Sequence, residues 1–501
     1  MNHQDIKDPI VFRTVRTYKH PYLYDRHSNL VVMLSEDEYD ELARVERGEL
    51  LAQDSPVVCE YMEQGFLQPN IVRKIEHPMS AVIERYLETR IEQLTLQVTQ
   101  QCNLRCAYCI YSGIYLRRRT HAAARMGFET AKKAIDFYIE RSSSLSDAVI
   151  GFYGGEPLLE FDLIKKCVAY AKTRVEGKRI RFAMTTNGTL LTDEIADYLA
   201  ENDFMLSVSI DGSKKEHDSN RRFASGEGSF DTIMGNLERI RTRHPDYWKQ
   251  ILFLTTINPH MDLGCVLEYF DAEDVFNDSH IIFNSMVTAS LDSSSDYSDE
   301  YYAVRNFEYM KMMFALVGKL DKKHVSRLMQ NSMSEYRRRV AALRNGSEIS
   351  PQEHHGGPCL PGVKRLFVRT DGELFPCERV SDSLDFYNIG SLSNGFDLDK
   401  VRSVLNIGYI SQDECKACWG LRRCSICSAE MEFDESPGKA AKEAACSKSI
   451  GRMDLELYEL CALSEFMDEM DEEDEEDGTE RLGITAYADA IDDTDRWEGC
   501  I

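Results

Sequence analysis

Three cysteines in one short loop constrain this chain more than any other feature of its sequence. The loop reads Cys102-Asn-Leu-Arg-Cys106-Ala-Tyr-Cys109 and follows Leu94-Thr-Leu-Gln-Val-Thr-Gln100, whose alternating apolar and polar residues predict a strand. Three thiolates on one loop can hold three irons of a 4Fe–4S cluster and leave the fourth iron without a protein ligand. The same spacing can also be a redox pair or half of a zinc site.

Further strand patterns along the chain end in glycine or in polar residues. Gly151-Phe-Tyr-Gly-Gly-Glu-Pro-Leu158 carries a glycine pair, and the patterns at 182–188 and 206–212 end in polar side chains. Helical patterns, such as residues 129–139, follow the predicted strands. Alternating strands and helices predict an α/β fold with a parallel sheet and with ligands at the carboxyl ends of its strands.

In their order and spacing, these motifs resemble the radical S-adenosylmethionine (radical SAM) enzymes over residues 92–300. The resemblance implies a partial (β/α)6 TIM-like barrel in which one electron from the cluster cleaves S-adenosylmethionine and releases a 5′-deoxyadenosyl radical. It implies that the cluster is held by Cys102, Cys106 and Cys109. It also places nine residues around S-adenosylmethionine: Tyr108 against the adenine, Gly154, Gly155 and Glu156 facing the methionine amine, and Thr186, Asn187, Ser209, Asp211 and Arg221 around the ribose and carboxylate. A residue such as Thr186 or Ser209 could instead cap a helix or close a turn.

Seven more cysteines are grouped toward the C-terminal end. Cys359 and Cys377 flank residues 366–375, which predict a hairpin with an Asp-Gly turn that brings the two cysteines together. The other five are Cys415, Cys418, Cys424, Cys427 and Cys446. Seven cysteines are too many for one tetrahedral metal site.

This group resembles the SPASM extension of radical SAM enzymes, which holds auxiliary 4Fe–4S clusters, over residues 350–450. The resemblance implies an outer cluster held by Cys415, Cys418, Cys424 and Cys446, and an inner cluster held by Cys359, Cys377 and Cys427. The chain departs from the family in having CxxC at Cys424 and Cys427 where the family has CxxxC, and in having no further cysteine at 352–358. The inner cluster could therefore have an open iron, filled by His354, by His355 or by a substrate thiolate. Zinc in place of iron is the alternative.

The first 75 residues predict a small domain of strands followed by helices. Residues 11–24 and 30–34 predict two strands, Ser35-Glu-Asp-Glu38 predicts a capping box that opens a helix, and 57–67 predicts a last helix. The segment resembles the winged-helix-like recognition element of enzymes that modify ribosomally made peptides (RiPPs). That element adds the leader of a precursor peptide as an extra strand on its sheet edge. A structural cap on the barrel is the alternative.

Two segments outside these motifs complete the chain. Residues 301–349 predict a helical bridge, with Met310, Met312, Met313 and Phe314 in its core. Residues 462–501 carry 16 acidic and 2 basic residues, a balance that predicts a disordered acidic tail.

Composition favours a cytoplasmic metalloenzyme. The chain has 501 residues, of which 43% are hydrophobic, and ten of its 15 cysteines are clustered, which favours metal ligation over disulfides. The N-terminus has no apolar export segment, and no apolar run is long enough for a membrane span. The net charge of −26 disfavours nucleic acid as a partner.

Together the resemblances imply a maturase that acts on a precursor peptide with a leader and a cysteine-containing core. The radical would remove hydrogen from a carbon of the core, and the auxiliary clusters would accept the second electron, which suits thioether formation between a cysteine sulfur and that carbon. A flavodoxin or ferredoxin is the implied reductant, and no general base is apparent in the sequence. Three alternatives stay open: carbon–carbon crosslinking, formylglycine formation in a sulfatase, and a non-catalytic zinc scaffold that binds peptides.

Overall fold

A computed structural model describes the chain over residues 8–114, 118–175, 177–258, 261–276, 280–285, 297–357, 359–431, 433 and 435–477, and for 274, 280–285 and 468–477 it describes the backbone alone. Within these ranges, none of the helices has the length and apolarity needed to cross a membrane.

The N-terminal region is a small antiparallel sheet with helices packed on it. Its elements are β1 (Phe12–Arg16), β2 (Pro21–Asp25), β3 (Leu30–Met33), α1 (Glu36–Glu46), α2 (Pro56–Glu63), β4 (Lys74–Ile75) and α3 (Ile83–Thr89). The sheet order is β1-β2-β3, and Leu23, Leu42 and Val58 bury their side chains between sheet and helices. The predicted capping box is present, because the Ser35 N–H donates to the Glu38 carboxylate at 2.7 Å and the Glu38 N–H donates to Ser35 Oγ at 3.3 Å.

The single strand predicted over residues 11–24 is wrong, since this segment forms both β1 and β2. Thr17 closes the turn between them: its N–H and its Oγ1 both donate to the His20 carbonyl, at 3.0 and 2.8 Å. A threonine that satisfies the backbone locally competes with extended pairing, and the apolar pattern on either side conceals the turn.

The central region has six parallel strands that lie side by side, each joined to the next by one or more helices. Its elements are β5 (Gln93–Thr99), α4 (Phe128–Glu140), β6 (Asp147–Gly154), α5 (Phe161–Arg174), β7 (Arg179–Thr186), α6 (Asp193–Glu201), β8 (Phe204–Ser209), α7 (Lys214–Asn220), α8 (Phe230–Arg243), α9 (Pro245–Trp248), β9 (Leu252–Ile257), α10 (Leu263–Ala272) and β10 (His280–Ser285). The order β10-β9-β8-β7-β6-β5 confirms the predicted α/β fold and partial (β/α)6 barrel. The carboxyl ends of the strands therefore share one rim.

The C-terminal region extends the barrel sheet. Its elements are α11 (Asp299–Leu316), α12 (Arg327–Ala342), β11 (Gln352–Glu353), β12 (Leu366–Val368), β13 (Glu373–Phe375), β14 (Gly390–Ser391), β15 (Gly395–Phe396), α13 (Leu398–Leu405), α14 (Gln412–Ala417) and α15 (Lys439–Asp477). β12 pairs in parallel with β5, and β12 to β15 form an antiparallel ribbon, so one sheet contains ten strands. The predicted hairpin is present as β12 and β13, with Gly372 at φ +92° in its turn.

A second apolar core joins the N-terminal sheet to the bridge helices and to α15. Tyr24, Met312, Met333 and Leu460 are among its buried residues. The prediction that Met310 and Phe314 also lie in a core is wrong, because these side chains are 47% and 48% exposed on α11.

The disordered tail predicted from residue 462 is wrong over 462–477, which continues helix α15. Leu463 and Glu465 are 3% and 8% exposed, and the Tyr22 hydroxyl donates to Glu465 at 3.0 Å. Leu460 and Leu463 of α15 are buried in the core shared with the N-terminal sheet, and this burial favours the helix. The rest of the predicted tail, 478–501, lies outside the described residues.

Candidate functional site

Cys102, Cys106 and Cys109 lie together on the loop that follows β5. The Cys109 N–H donates to the Cys106 carbonyl at 3.1 Å, and the Leu104 N–H donates to Cys102 Sγ at 3.4 Å. Burial raises the pKa of Cys102 to about 12 and that of Cys106 to about 11, and the neighbouring thiols add to both rises. Three half-buried thiols that repel one another as thiolates ionise more readily beside a cation, so this donor set fits an iron–sulfur cluster.

The glycine pair brings the end of β6 against the chain that leads into the cysteine loop. Gly154 has φ +146°, and a Cβ there would lie 2.1 Å from the Thr99 carbonyl oxygen. A Cβ on Gly155 would lie 2.0 Å from the Gln101 carbonyl oxygen. The Gly155 N–H also donates to Thr99 at 3.0 Å. These glycines therefore permit backbone–backbone approach, and their predicted contact with the methionine amine stays a prediction.

Glu156 links the carboxyl ends of β6 and β7 through hydrogen bonds. Its carboxylate is buried and accepts from Thr186 Oγ1 at 2.7 Å, from the Asn187 N–H at 2.8 Å and from the Leu158 N–H at 3.1 Å. Burial raises the pKa of Glu156, and these three bonds oppose the rise. A carboxylate offers about four acceptor positions, so one stays available for an ammonium group.

Two residues that the sequence did not single out tie the cysteine loop to the end of β7. Asn187 Nδ2 donates to Asn103 Oδ1 at 2.8 Å, Asn103 Nδ2 donates to Thr189 Oγ1 at 2.8 Å, and Thr189 Oγ1 donates to Asn187 Oδ1 at 2.7 Å. The one sequence feature that points to this hydrogen-bond network is the position of Asn103 directly after Cys102.

Tyr108, Asp211 and Arg221 form a buried polar cluster between the loop and the end of β8. The Tyr108 hydroxyl and Arg221 Nε both donate to Asp211 Oδ2, the second at 2.8 Å. Ser209, the last residue of β8, is 9% exposed beside them. The structure thus places the predicted S-adenosylmethionine residues at the carboxyl ends of β5 to β8, and their contacts with that cofactor stay predictions.

A cavity of about 190 Å³ lies inside the barrel and was not predicted. Its polar lining residues are Gln93, Thr95, Tyr153, Thr185, Ser207, Glu378 and Arg379. Glu378 Oε1 pairs with Arg365, whereas Glu378 Oε2 and Gln93 Oε1 have no hydrogen-bond partner among the described residues. Buried oxygens are normally satisfied, so these two fit the N–H donors of a bound molecule.

Arg119 carries two further unsatisfied atoms near the cysteine loop. Its side chain is 9% exposed, its Nε donates to Asp382 Oδ2 at 2.9 Å, and its guanidinium lies 3.6 Å from the centre of the Tyr111 ring. In the described part of the chain, neither of its Nη atoms has a hydrogen-bond partner. The planar fork of such a guanidinium fits a carboxylate or carbonyl oxygens. Arg119 stands in a run of arginines, and the sequence does not distinguish it from its neighbours.

The four cysteines predicted to hold the outer cluster line one cavity of about 240 Å³; they are Cys415, Cys418, Cys424 and Cys446. Burial raises the pKa of Cys418 to about 11, and the other three thiols add to this rise. The three inner cysteines interact electrostatically: burial and, to a smaller extent, Cys427 raise the pKa of Cys377, and burial and, to a smaller extent, Cys359 raise the pKa of Cys427.

The shape of these groups bears on the choice between zinc and iron. Across the described ranges, no three His, Cys, Asp or Glu side chains are arranged to hold a single metal ion. A tetrahedral zinc site keeps four ligands within about 2.3 Å of one ion. Four thiols around a cavity of about 240 Å³ leave room for a cluster of several atoms, and the auxiliary cluster at these cysteines stays a prediction.

The two histidines considered for the open inner iron are engaged elsewhere. His354 Nε2 accepts from the Gly408 N–H at 2.9 Å, and its Nδ1 donates to the His355 carbonyl at 2.7 Å. His355 lines the outer cavity, where its Nε2 lies 3.1 Å from Lys442 Nζ. The expectation that either ring completes the inner group is therefore wrong, since backbone contacts hold the first and the second faces the outer cysteines.

Comparison with known families and proteins agrees with this geometry. Residues 96–263 match the Radical SAM superfamily. The chain is 37% identical over 146 residues to an uncharacterized protein of Methanocaldococcus jannaschii, a match that spans 29% of this chain and 47% of that protein, less than half of its length. It is 26% identical over 344 residues to the cysteine-type anaerobic sulfatase-maturating enzyme of Clostridium novyi, which covers 66% of this chain and 85% of that enzyme.

The fold has a solved counterpart in native anSMEcpe with bound AdoMet and a peptide, at a TM-score of 0.52 and 20% identity. The match covers 99% of that chain and 75% of this one, so a quarter of this chain has no counterpart there. The barrel, the cysteine loop and the strand tips together show that this chain contains a radical SAM domain with homology to the anaerobic sulfatase-maturating enzymes.

Proposed function

We propose that this chain is a radical SAM peptide maturase that forms thioether crosslinks between cysteine sulfurs and carbons of a precursor peptide. The observation that carries the proposal is the inner cysteine group. It has three thiols, and Cys377 directly precedes Glu378 and Arg379, which line the barrel cavity. A cluster with three protein ligands leaves one iron to a substrate thiolate, and a peptide cysteine in the cavity would be close to it.

The cysteine loop and the unsatisfied polar residues near the barrel cavity fit two different tasks. Cys102, Cys106 and Cys109 would hold the cluster that, with S-adenosylmethionine, supplies a radical able to remove a hydrogen atom from a peptide carbon. Gln93 and Glu378 offer unsatisfied oxygens to peptide N–H groups, and the Arg119 Nη atoms offer donors to peptide carbonyl or carboxylate oxygens. These groups would hold the peptide chain across the barrel cavity.

The N-terminal sheet supports the proposal that a leader peptide binds there. β3 is an edge strand, and Met33 at its end is 59% exposed. The Val31 N–H donates to the Leu343 carbonyl at 3.4 Å, so the chain itself follows the first part of this edge. A leader that adds a strand would pair beside Met33.

The proposal is tested with anaerobically prepared enzyme, S-adenosylmethionine, a flavodoxin-type reductant and a precursor peptide with a cysteine-containing core. Thioether formation removes two hydrogens, so we expect a loss of two mass units and one cysteine that no longer reacts with an alkylating agent. Mass loss with every cysteine still reactive would contradict the thioether and indicate carbon–carbon crosslinking. C377A should abolish the product, whereas C59A, a cysteine outside both groups, is the matched control.

The second candidate is conversion of a peptide serine or cysteine to formylglycine. It is favoured by the relative from Clostridium novyi, of which this chain covers 85%. The anaerobic enzyme would then convert a sulfatase-derived peptide to an aldehyde that a hydrazine probe detects. An aldehyde product formed without a thioether would decide for this candidate.

A further inference from the structure

Lys442 is a fully buried cation in the cavity of the outer cysteines. The residue is 0% exposed and lines the cavity of about 240 Å³ together with the four thiols. Lys442 and Cys446 are four residues apart on α15, so both project from one face of the helix. Ser449 and Met453 continue this face and also line the cavity.

The charge of Lys442 has no carboxylate partner in the described parts of the chain. Its Nζ lies 3.1 Å from His355 Nε2, and burial lowers the pKa of His355 to about 2, so the imidazole is neutral and accepts this bond. The carboxylate of the cavity lining belongs to Glu414, which pairs with Lys439 at 2.5 Å. An ammonium group has three donors, and two of them are therefore available to the cavity.

A buried ammonium group is strongly unfavourable unless negative charge compensates it. The nearby groups that can supply this charge are the thiolates of the outer cysteines. Cys415, Cys418, Cys424 and Cys446 line the same cavity as Lys442. The positive charge of Lys442 is thus compensated when the outer cysteines are thiolates that hold a cluster.

We propose that Lys442 is the fixed counter-charge of the outer cluster and sets its reduction potential. The inference rests on the proposed auxiliary cluster at these four cysteines. Reduction adds one electron to the cluster, and a nearby cation that cannot move away stabilises the added charge. Lys442 therefore raises the potential and makes the outer cluster a better acceptor for the electron released when the substrate is oxidised.

The test is a potentiometric titration of the full chain with its clusters, followed by electron paramagnetic resonance of the reduced clusters. The component that disappears in C418A is assigned to the outer cluster. The unaltered chain is compared with K442M, K442R and K448M. Lys448 is an exposed residue of the same helix, so K448M removes the same charge from the surface as a matched control.

We expect K442M to shift the outer component to a more negative potential, K442R to stay near the unaltered value and K448M to leave it unchanged. An unchanged potential in K442M overturns the proposal. If K442M loses the iron of the outer cluster and K442R keeps it, the proposal is supported, because these variants differ in charge. Loss of iron from both overturns it, because the shape of the lysine would then be what matters.

A count of iron, sulfide and zinc before the titration separates failure of this inference from failure of the proposed function. Zinc at the outer cysteines of the unaltered chain would refute the auxiliary cluster, and the inference with it. Iron at these cysteines with an unchanged potential in K442M would refute the role of Lys442 alone.

Discussion

Gly154 illustrates how much of the site depends on the backbone of single residues. The sequence predicts that it faces the methionine amine of S-adenosylmethionine. The structure shows in addition that Gly154 lies against the Thr99 carbonyl, whose oxygen is 2.1 Å from where a Cβ would stand. This second contact could not be predicted, because spacing along one strand does not reveal which neighbouring backbone lies against it. Arg119 and Glu378 escaped prediction for the same reason, since their unsatisfied atoms exist only in the folded chain.

Gly154→Ala should therefore destabilise the chain and displace the tip of β6. The φ of +146° and the contact with Thr99 together should cost at least about 2 kcal/mol of unfolding free energy. Urea unfolding of the metal-free chain measures this loss. Gly226→Ala is the control, because Gly226 has φ +93° with open space around it, so its replacement tests backbone strain without the clash. Equal losses in the two variants would contradict the role of close approach.

His217 should make stability depend on pH between about 6.5 and 4. Its Nδ1 accepts from the Asp211 N–H at 3.3 Å, its Nε2 lies 3.0 Å from Ser229 Oγ, and burial lowers its pKa from 6.5 to about 4. The unfolded chain binds a proton more readily in this window, so stability is lost as the pH falls, by roughly 3 kcal/mol. Unfolding free energies of the unaltered chain and of His217→Gln across this window measure the effect. The same pH slope in both would refute it.

At the scale of elements, α15 joins parts of the chain that the sequence analysis assigned to separate segments. Residues from Lys439 onward carry Cys446 to the outer cavity, and further along the same helix Leu460 and Leu463 pack in the core shared with the N-terminal sheet. Arg13 reaches Asp454 at 2.8 Å across this contact. The acidic composition of the segment predicted disorder, because local charge repulsion is visible in a sequence and the burial of a distant apolar face is not.

Leu460→Ala should weaken the contact between α15 and the N-terminal sheet. Leu460 is fully buried in the core shared by the two, so its truncation should lower the unfolding free energy by about 2–5 kcal/mol. Leu455, 56% exposed on the same helix, is the matched control, and Leu455→Ala should change the unfolding free energy by less than about 0.5 kcal/mol. Denaturant unfolding measures both. A loss in Leu460→Ala no larger than in the control would show that this face of α15 carries no stability.

At the scale of the whole molecule, one ten-stranded sheet joins the barrel to the cysteine-rich region. Pairing of β12 with β5 places Cys377 and Glu378 next to the barrel cavity. The inner cysteine group thus adjoins the barrel cavity through Glu378 and Arg379, which follow Cys377 directly in the chain.

Three clusters predict about twelve irons per chain and no zinc in anaerobically prepared protein. Replacing Cys102, Cys106 and Cys109 with alanine should lower this to about eight, because the two auxiliary groups are separate from the loop. Iron, sulfide and zinc analysis measures both values. About four irons together with zinc would contradict the auxiliary clusters and remove the basis for thioether chemistry.

The sequence by itself determined the class of fold and the three-cysteine loop, and its resemblance to the SPASM extension predicted that the seven further cysteines form sets of four and three. These follow from short motifs and from the alternation of strands and helices, which are local properties of the chain. Tertiary structure alone decided that Lys442 and His355 face the outer cysteines, that Glu378 opens into the barrel and that α15 is a continuous helix. Burial, unsatisfied donors and close backbone approach depend on residues that are distant in sequence, so no local pattern could reveal them.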